Sequence, residues 1–324
     1  MEEKRFADLG KIEAIRELYA LSKYHPRKHL RLEEGGGSVC TASGLFLEGI
    51  DFNLVYFPLK HLGYKCLTAV TGSLYAALAH PKTLSVRIGV SSKLDFEQVR
   101  DLWTGIITAA AEHGYADVSL DLGPSLNGLA ISLAASGETS RLTAARQPRP
   151  RSKDLVCVSG SIGAAYLGMQ AMENKIPDLE KYRMIIGDYL KPEISPDVVS
   201  RFESEEIYPS AGYLVSKGLA DAAKRLSRDT GLGVKIYADK IPFEGNSFEL
   251  GKRLDIDPVS AAMNGGDDNR LLFTVPILQL EKFRREFQTF DIIGHLAQED
   301  VGAVLVTPEG VELPVRAQGW KAEE

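Results

Sequence analysis

Cysteine, tryptophan and any excess of positive charge are scarce in this chain, and each scarcity narrows what the protein can be. Its three cysteines, Cys40, Cys66 and Cys157, are odd in number, widely spaced and outside any Cys-x-x-Cys pair. Such a pattern reads as buried thiols in a reducing compartment rather than a disulfide framework. No stretch approaches the roughly 18 apolar residues of a membrane span, and the start, Met-Glu-Glu-Lys-Arg, carries no apolar leader core. The formal net charge is -6, and the stretch that offers itself as a basic patch, Arg146 to Lys153, is short and broken by prolines. A nucleic-acid footprint needs a basic face, so a solvated linker is the better reading of that stretch. The expectation is a cytoplasmic protein with no membrane and no nucleic-acid partner.

Familiar catalytic signatures are missing as well. There is no Gly-x-x-x-x-Gly-Lys-Ser/Thr phosphate loop, no Gly-x-Gly-x-x-Gly after the first strand, no His-Glu-x-x-His and no Gly-x-Ser-x-Gly elbow. The six histidines are scattered singly. His61, His80 and His113 fall on or beside helices, where a hydrogen-bonded structural role is the default.

What is present is an ordinary globular composition, 44% apolar and 25% charged, over 324 residues. That length accommodates two domains. Apolar residues at three- and four-residue spacing predict helices over 9–23, Lys60 to Ala79 and Phe96 to His113. Extended runs cover Ser38 to Phe52, Leu84 to Val90, Ala116 to Leu122 and Leu129 to Ala135. A polar, basic and proline-rich stretch over 139–153 marks the boundary between a domain at 1–138 and another at 154–324. The second half opens on the strand Leu155 to Val158 and a helix through Met172, followed by a helix from Tyr182 to Tyr189 and a loop over 191–207. Ser216 to about Ser227 is a helix capped by Gly231. Val234 to Tyr237 and Leu271 to Val275 are strands, Leu280 to Phe287 is a helix, and Val301 to Val315 is a hairpin turned at Pro308-Glu309-Gly310. Helices and strands mix without strict alternation, which predicts an α+β layered fold.

Two motifs carry chemistry. Gly160-Ser161-Ile162-Gly163, after a strand and before a helix, could lay backbone N–H groups against a phosphate; the alternative, which spacing favours, is a tight strand-to-helix turn. Asn264-Gly265-Gly266-Asp267-Asp268-Asn269 precedes a buried strand. It is either a carboxylate held at a sheet edge or a turn with solvated acids, and spacing alone leaves both open.

The segment Gly265-Gly266-Asp267-Asp268-Asn269-Arg270-Leu271-Leu272-Phe273-Thr274-Val275-Pro276 resembles Gly-Gly-Glu-Asp-Tyr-Glu-Leu-Leu-Phe-Thr-Val-Pro of the thiamine-monophosphate kinase family. That family belongs with aminoimidazole ribonucleotide synthetase and selenophosphate synthetase. Leu47-Glu48-Gly49-Ile50-Asp51-Phe52 resembles its Val-Glu-Gly-Val-His-Phe, and Leu62-Gly63-Tyr64-Lys65-Cys66-Leu67 its Leu-Gly-Tyr-Lys-Ala-Leu. Ser216-Lys217-Gly218-Leu219 takes the place of Ser-Asp-Gly-Leu, and Gly319-Trp320 that of the closing Gly-Tyr. The resemblance implies two aminoimidazole ribonucleotide synthetase-like domains and a homodimer whose N-terminal sheets pair into a barrel. It also implies ATP in a cleft, with Mg²⁺ on clustered aspartates passing a phosphoryl group to thiamine monophosphate.

Carried over position by position, the metal site is largely gone. Where the family has its aspartates, this chain has Gly44, Ser73, Ala164 and Lys217, and the early Gly-Asp-Asp-Ala segment has no counterpart. Asp121 alone matches a metal position. Asp51 replaces the His or Asn that faces the substrate, Asp267 replaces the glutamate, and Trp320 replaces the closing aromatic. The resemblance thus nominates Asp51, Lys65, Arg146, Gly160, Ser216, Lys217, Gly265, Gly266, Asp267, Asp268 and Trp320 as ligand-binding, and Asp121 as a metal ligand. Two readings compete. One is a divergent kinase in which Asp121, Asp267 and Asp268 hold one Mg²⁺. The other is a degenerate member that binds a nucleotide or small anion, with Lys217 in the place of a metal.

Overall fold

The computed structural model describes residues 17–20, 22–24 and 38–317. The chain divides into two compact units, one ending at Tyr75 and resuming over Ala79–Arg141, the other made of Ala76–Leu78 and the chain from Leu142 onward.

In the first unit, β1 (Ser38–Leu47) leads to helix α1 (Leu59–Ala76), β2 (His80–Ser91), helix α2 (Phe96–Glu112), β3 (Asp117–Ser125) and β4 (Ala130–Thr139). The strands form one sheet in the order β1-β4-β2-β3, antiparallel except for β2 with β3. α2 begins where the sequence places it, because Asp95 accepts the Gln98 N–H while Gln98 reaches back to the Asp95 N–H. The two helices cross backbone to backbone at their glycines, since a Cβ on Gly105 would lie 1.9 Å from the Lys60 carbonyl oxygen. Leu62, Leu67, Leu102, Trp103 and Ile106 are buried, as are the inward strand residues Leu84, Val86, Ile88, Val118, Leu122, Ile131 and Leu133. Strand side chains alternate, so Ser85, Arg87, Asp121, Ser132 and Leu45 share the opposite face. Among the described residues no helix covers that face, and Leu45 keeps 60% of its surface exposed.

The second unit holds a seven-stranded sheet in the order β11-β10-β7-β9-β5-β8-β6. In chain order its elements are α3 (Arg141–Arg146), β5 (Leu155–Ser159), α4 (Ala164–Glu173), α5 (Arg183–Leu190), α6 (Val198–Ser204) and β6 (Ala211–Val215). There follow α7 (Gly218–Thr230), β7 (Gly233–Tyr237), α8 (Ser247–Leu254), α9 (Pro258–Asn264), β8 (Arg270–Val275), α10 (Leu280–Glu286), β9 (Phe290–Ala297), β10 (Ala303–Val306) and β11 (Glu312–Pro314). One sheet face packs Val156, Val158 and Leu272 against Leu219, Ala223 and Leu226 of α7. On the other, Phe273 and Phe290 meet Phe202 of α6 and Phe283 of α10, with Phe202 and Phe287 stacked at 4.4 Å. The α+β expectation holds.

Several elements differ from the sequence reading. The stretch 191–207, read as loop, contains α6, because Val198, Val199 and Phe202 form a buried stripe inside a proline- and glutamate-rich context. The stretch 139–153, read as linker, begins with α3, whose Thr143 hydroxyl donates to Glu203 at 2.7 Å. Strands β6 and β9 and helices α8 and α9 were not anticipated; Gly212 and Gly294 interrupt the apolar runs that would have marked the strands. The helix over 9–23 lies largely outside the described residues.

Candidate functional site

β5, β8 and β6 are neighbours in the second sheet, and their hydrogen-bonded registers place the end of β5, the start of β8 and the end of β6 at one edge. The three segments beyond that edge are Ser159–Gly163, Ser216–Gly218 and Gly265–Arg270. The fold therefore assembles Gly160, Ser216, Lys217, Gly265, Gly266, Asp267 and Asp268 in one place, although they span more than 100 residues.

Local backbone demands explain the glycines that matter most. Gly218 opens α7 at φ +85, and a Cβ there would sit 2.3 Å from the Met263 carbonyl oxygen. Gly266 has φ +79 and lies against the backbone of Ser216 and Lys217, while the Asp267 N–H donates to the Ser216 carbonyl at 2.8 Å. These contacts lock the acidic segment onto the start of α7. Asp267 and Asn269 themselves adopt left-handed conformations, φ 72 and 50, which Asp and Asn tolerate better than most residues.

Asp268 resolves the question left open by spacing. It is 2% exposed, and one carboxylate oxygen accepts the N–H groups of Gly163 at 3.0 Å and Ala165 at 3.1 Å. The carboxylate thus caps α4 from the far side of the chain, at the end where a helix favours negative charge. Its second oxygen has no hydrogen-bond partner among the described residues. Burial pushes this carboxyl up to about 7, against the opposing pull of those two N–H groups and Arg270.

The same contacts correct the phosphate-loop reading of Gly160. The N–H of Gly163 is engaged by Asp268, that of Ile162 donates to Pro242 and that of Gly160 donates to Thr289. Three of the loop's N–H groups are thus engaged within the protein. Across it lies Arg270, where the resembling family has glutamate. Arg270 donates to Asp188 at 2.6 Å and to the Glu193 carbonyl at 3.0 Å, and Ser161 donates to the other oxygen of Asp188 at 2.8 Å. Sequence reasoning missed this Arg270–Asp188–Ser161 clamp; its signal was the charge reversal at position 270.

Lys217 is the N-cap residue of α7, provides no side-chain cap and stays exposed. Among the described residues it has no ion-pair partner. An ammonium at a helix N-terminus is unfavourable to the helix dipole and becomes favourable when an anion joins it.

The remaining predicted residues lie on other elements, several of them in local structural roles. Asp51 accepts the Leu47 N–H at 2.7 Å and closes the turn after β1. Lys65 is buried, its ammonium 5.2 Å from the centre of the Phe57 ring. Arg146 pairs with Glu206 and lies 6.0 Å from the Tyr208 ring. Trp320 lies outside the described residues. Asp121, in the first unit, is half-exposed and sits 4.0 Å from the Nε of Arg87, a residue with no sequence signal beyond strand alternation.

The fit to Mg²⁺ is poor. Among the described residues no group of three or more His, Cys, Asp or Glu side chains is placed to hold a metal ion. Asp268 is enclosed, and Asp121 already faces a guanidinium. At 4 Å two like unit charges repel by about 4 kcal/mol at an effective dielectric of 20. No step of a reaction is therefore derived through the metal.

No protein-family model matches the chain. The thiamine-monophosphate kinase of Aquifex aeolicus is 25% identical over 275 residues, covering 85% of this chain and 84% of the relative. A solved structure described as AaThiL complexed with AMPPCP and TMP has a TM-score of 0.74 at 21% identity, covering 97% of each chain. The Escherichia coli hydrogenase maturation protein HypE also reaches 0.74, at 16% identity, over 95% of this chain and 97% of its own. By sequence and fold the chain is thiamine-monophosphate-kinase-like, with the aminoimidazole ribonucleotide synthetase type of architecture.

Proposed function

We propose that this protein binds a nucleotide or another small anionic ligand on a kinase-like scaffold, and that Mg²⁺-dependent phosphoryl transfer is lost or much reduced. The observation that carries the reading is the charge of the sheet-edge site. Lys217 stands where the resembling family has aspartate, Arg270 where it has glutamate, and Ala164 where it has aspartate, while Asp268 is committed to capping α4. Phosphoryl transfer requires positioning and charge neutralisation, which that family achieves with metal-bound carboxylates. Here Lys217 can meet an anion directly.

The alternative is an active kinase with a reduced metal site, making thiamine diphosphate from thiamine monophosphate. Likeness over nearly the full length to a protein complexed with AMPPCP and TMP favours it. Calorimetry with ATP, with and without Mg²⁺, followed by a kinase assay on thiamine monophosphate, separates the two. We expect metal-independent binding that weakens at least tenfold in Lys217→Ala, and no turnover. Mg²⁺-dependent binding with turnover would overturn the proposal.

We also infer a homodimer through the first unit. Its support is a sheet with one face lacking a covering helix among the described residues, bearing exposed Val39 and Leu45. Light scattering at micromolar concentration tests it, and a monomer would refute it.

A further inference from the structure

The Arg270–Asp188–Ser161 clamp has the form of an oxyanion receptor that is already filled. Two donors converge on one carboxylate: Nη2 of Arg270 reaches one oxygen of Asp188 at 2.6 Å, and the Ser161 hydroxyl reaches the other at 2.8 Å. A guanidinium joined by a hydroxyl on two oxygens of one anion suits a phosphate as well as a carboxylate. The donors are also fixed independently of Asp188. Nη1 of Arg270 donates to the Glu193 carbonyl at 3.0 Å, and Nε to the Ser161 carbonyl at 3.4 Å. The guanidinium lies against the loop at Gly160, where a Cβ would fall 3.2 Å from its Cζ. Asp188 is held less firmly. Its side chain keeps 22% of its surface exposed, against 13% for Arg270. It stands in the last turn of α5, which carries no basic residue, and negative charge is unfavourable at that end of a helix. Arg270 and Ser161, rather than its own helix, hold the carboxylate in place.

We propose that Asp188 is an internal stand-in for a ligand phosphate, and that Arg270 and Ser161 form a phosphate subsite when Asp188 turns outward to solvent. The contact is then autoinhibitory. Carboxylate and ligand compete for the same two donors, so the apparent affinity falls with the fraction of molecules in which Asp188 occupies them. A phosphate carries up to two negative charges where Asp188 brings one, which favours the ligand at a largely buried guanidinium. Asp188 is favoured in turn by its tether, which keeps its effective concentration high. The proposal rests on the reading above only in that the ligand is anionic. Lys217 belongs to a neighbouring segment of the same sheet edge, and the two can fail separately.

Calorimetry with inorganic phosphate on the full chain in EDTA tests the subsite. Asp188→Asn should bind phosphate at least tenfold more tightly than the wild-type protein. A purely structural clamp gives no such gain, because the same variant would only lose stability. Adding Arg270→Gln to Asp188→Asn should abolish the gain, and adding Ser161→Ala should reduce it. In the wild-type protein, the Arg270 Nε–H resonance should shift with phosphate and not with sodium chloride at equal ionic strength, a readout that needs no variant to fold. Unchanged or weaker phosphate binding in Asp188→Asn would overturn the subsite, as would a gain that survives Arg270→Gln or a wild-type resonance that phosphate leaves unmoved. Lys217-dependent ATP binding without a phosphate gain in Asp188→Asn sinks the subsite and leaves the nucleotide reading standing. An Arg270-dependent gain in Asp188→Asn, with no ATP binding to the wild-type protein, does the reverse.

Discussion

The sheet edge of the second unit and the open sheet face of the first unit hold their charged residues in opposite ways. At the edge, polar groups are largely engaged within the protein: Asp268 caps α4, Arg270 is clamped to Asp188, and the N–H groups of Gly160, Ile162 and Gly163 find carbonyl or carboxylate partners. Lys217 stays exposed there. On the open face, Arg87 and Asp121 are about half-exposed, with 4.0 Å between the Arg87 Nε and an oxygen of Asp121. Substitutions at the first place should therefore cost more stability than those at the second.

The sharpest break of that contrast is Gly218→Ala. A left-handed backbone position costs about 1 to 3 kcal/mol for a residue with a Cβ, and the clash with the Met263 carbonyl adds backbone displacement. We expect a loss on the order of 3 kcal/mol in urea denaturation, and a loss under 1 kcal/mol would show that the loop yields easily.

The next effect is pH-dependent. The Asp268 carboxyl is raised from 3.8 to about 7 in the folded protein by burial, so the folded state holds its proton more tightly than the unfolded chain. Its contribution to stability is then complete below about pH 4 and is lost as pH rises towards and through 7. Asp268→Asn removes this titration while keeping an oxygen for the Gly163 and Ala165 N–H groups. The stability of Asp268→Asn relative to the wild-type protein should improve by roughly 2 to 3 kcal/mol between pH 5 and pH 7.5. A constant difference across that range would mean that Asp268 is ionised throughout.

A smaller effect belongs to the clamp. Arg270→Met leaves Asp188 partly buried with Ser161 as its remaining partner, and should cost about 1 to 2 kcal/mol. Arg87→Gln, the matching change on the open face, should alter stability by no more than about 0.5 kcal/mol. If the two variants lost equal stability, the distinction between an internalised and an outward-facing site would collapse.

Much of the fold was legible from periodicity. α2 was clear because Val99, Trp103, Ile106 and Ala110 recur on one face and Asp95 begins a capping box. α6 was hidden because three apolar residues in a short helix do not stand out from a proline- and glutamate-rich stretch. The candidate site was legible as a set of motifs, and Lys217 was visible as a reversal of charge within one of them. The role of Asp268 was not legible, since its partners lie more than 100 residues away and are backbone N–H groups that any residue would offer. Arg87 left no trace because it occupies an ordinary outward position on an alternating strand.

The sequence by itself determined the α+β architecture and the kinase-like scaffold, because these depend on residue type and local spacing. Only the tertiary structure decided which acids are committed to structural roles. Asp268 and Asp267 are neighbours in the chain, yet burial and hydrogen bonding across the sheet edge commit Asp268 to capping α4. Arg87 and Asp121 are far apart in the chain, yet the parallel pairing of β2 and β3 sets them side by side on an open face.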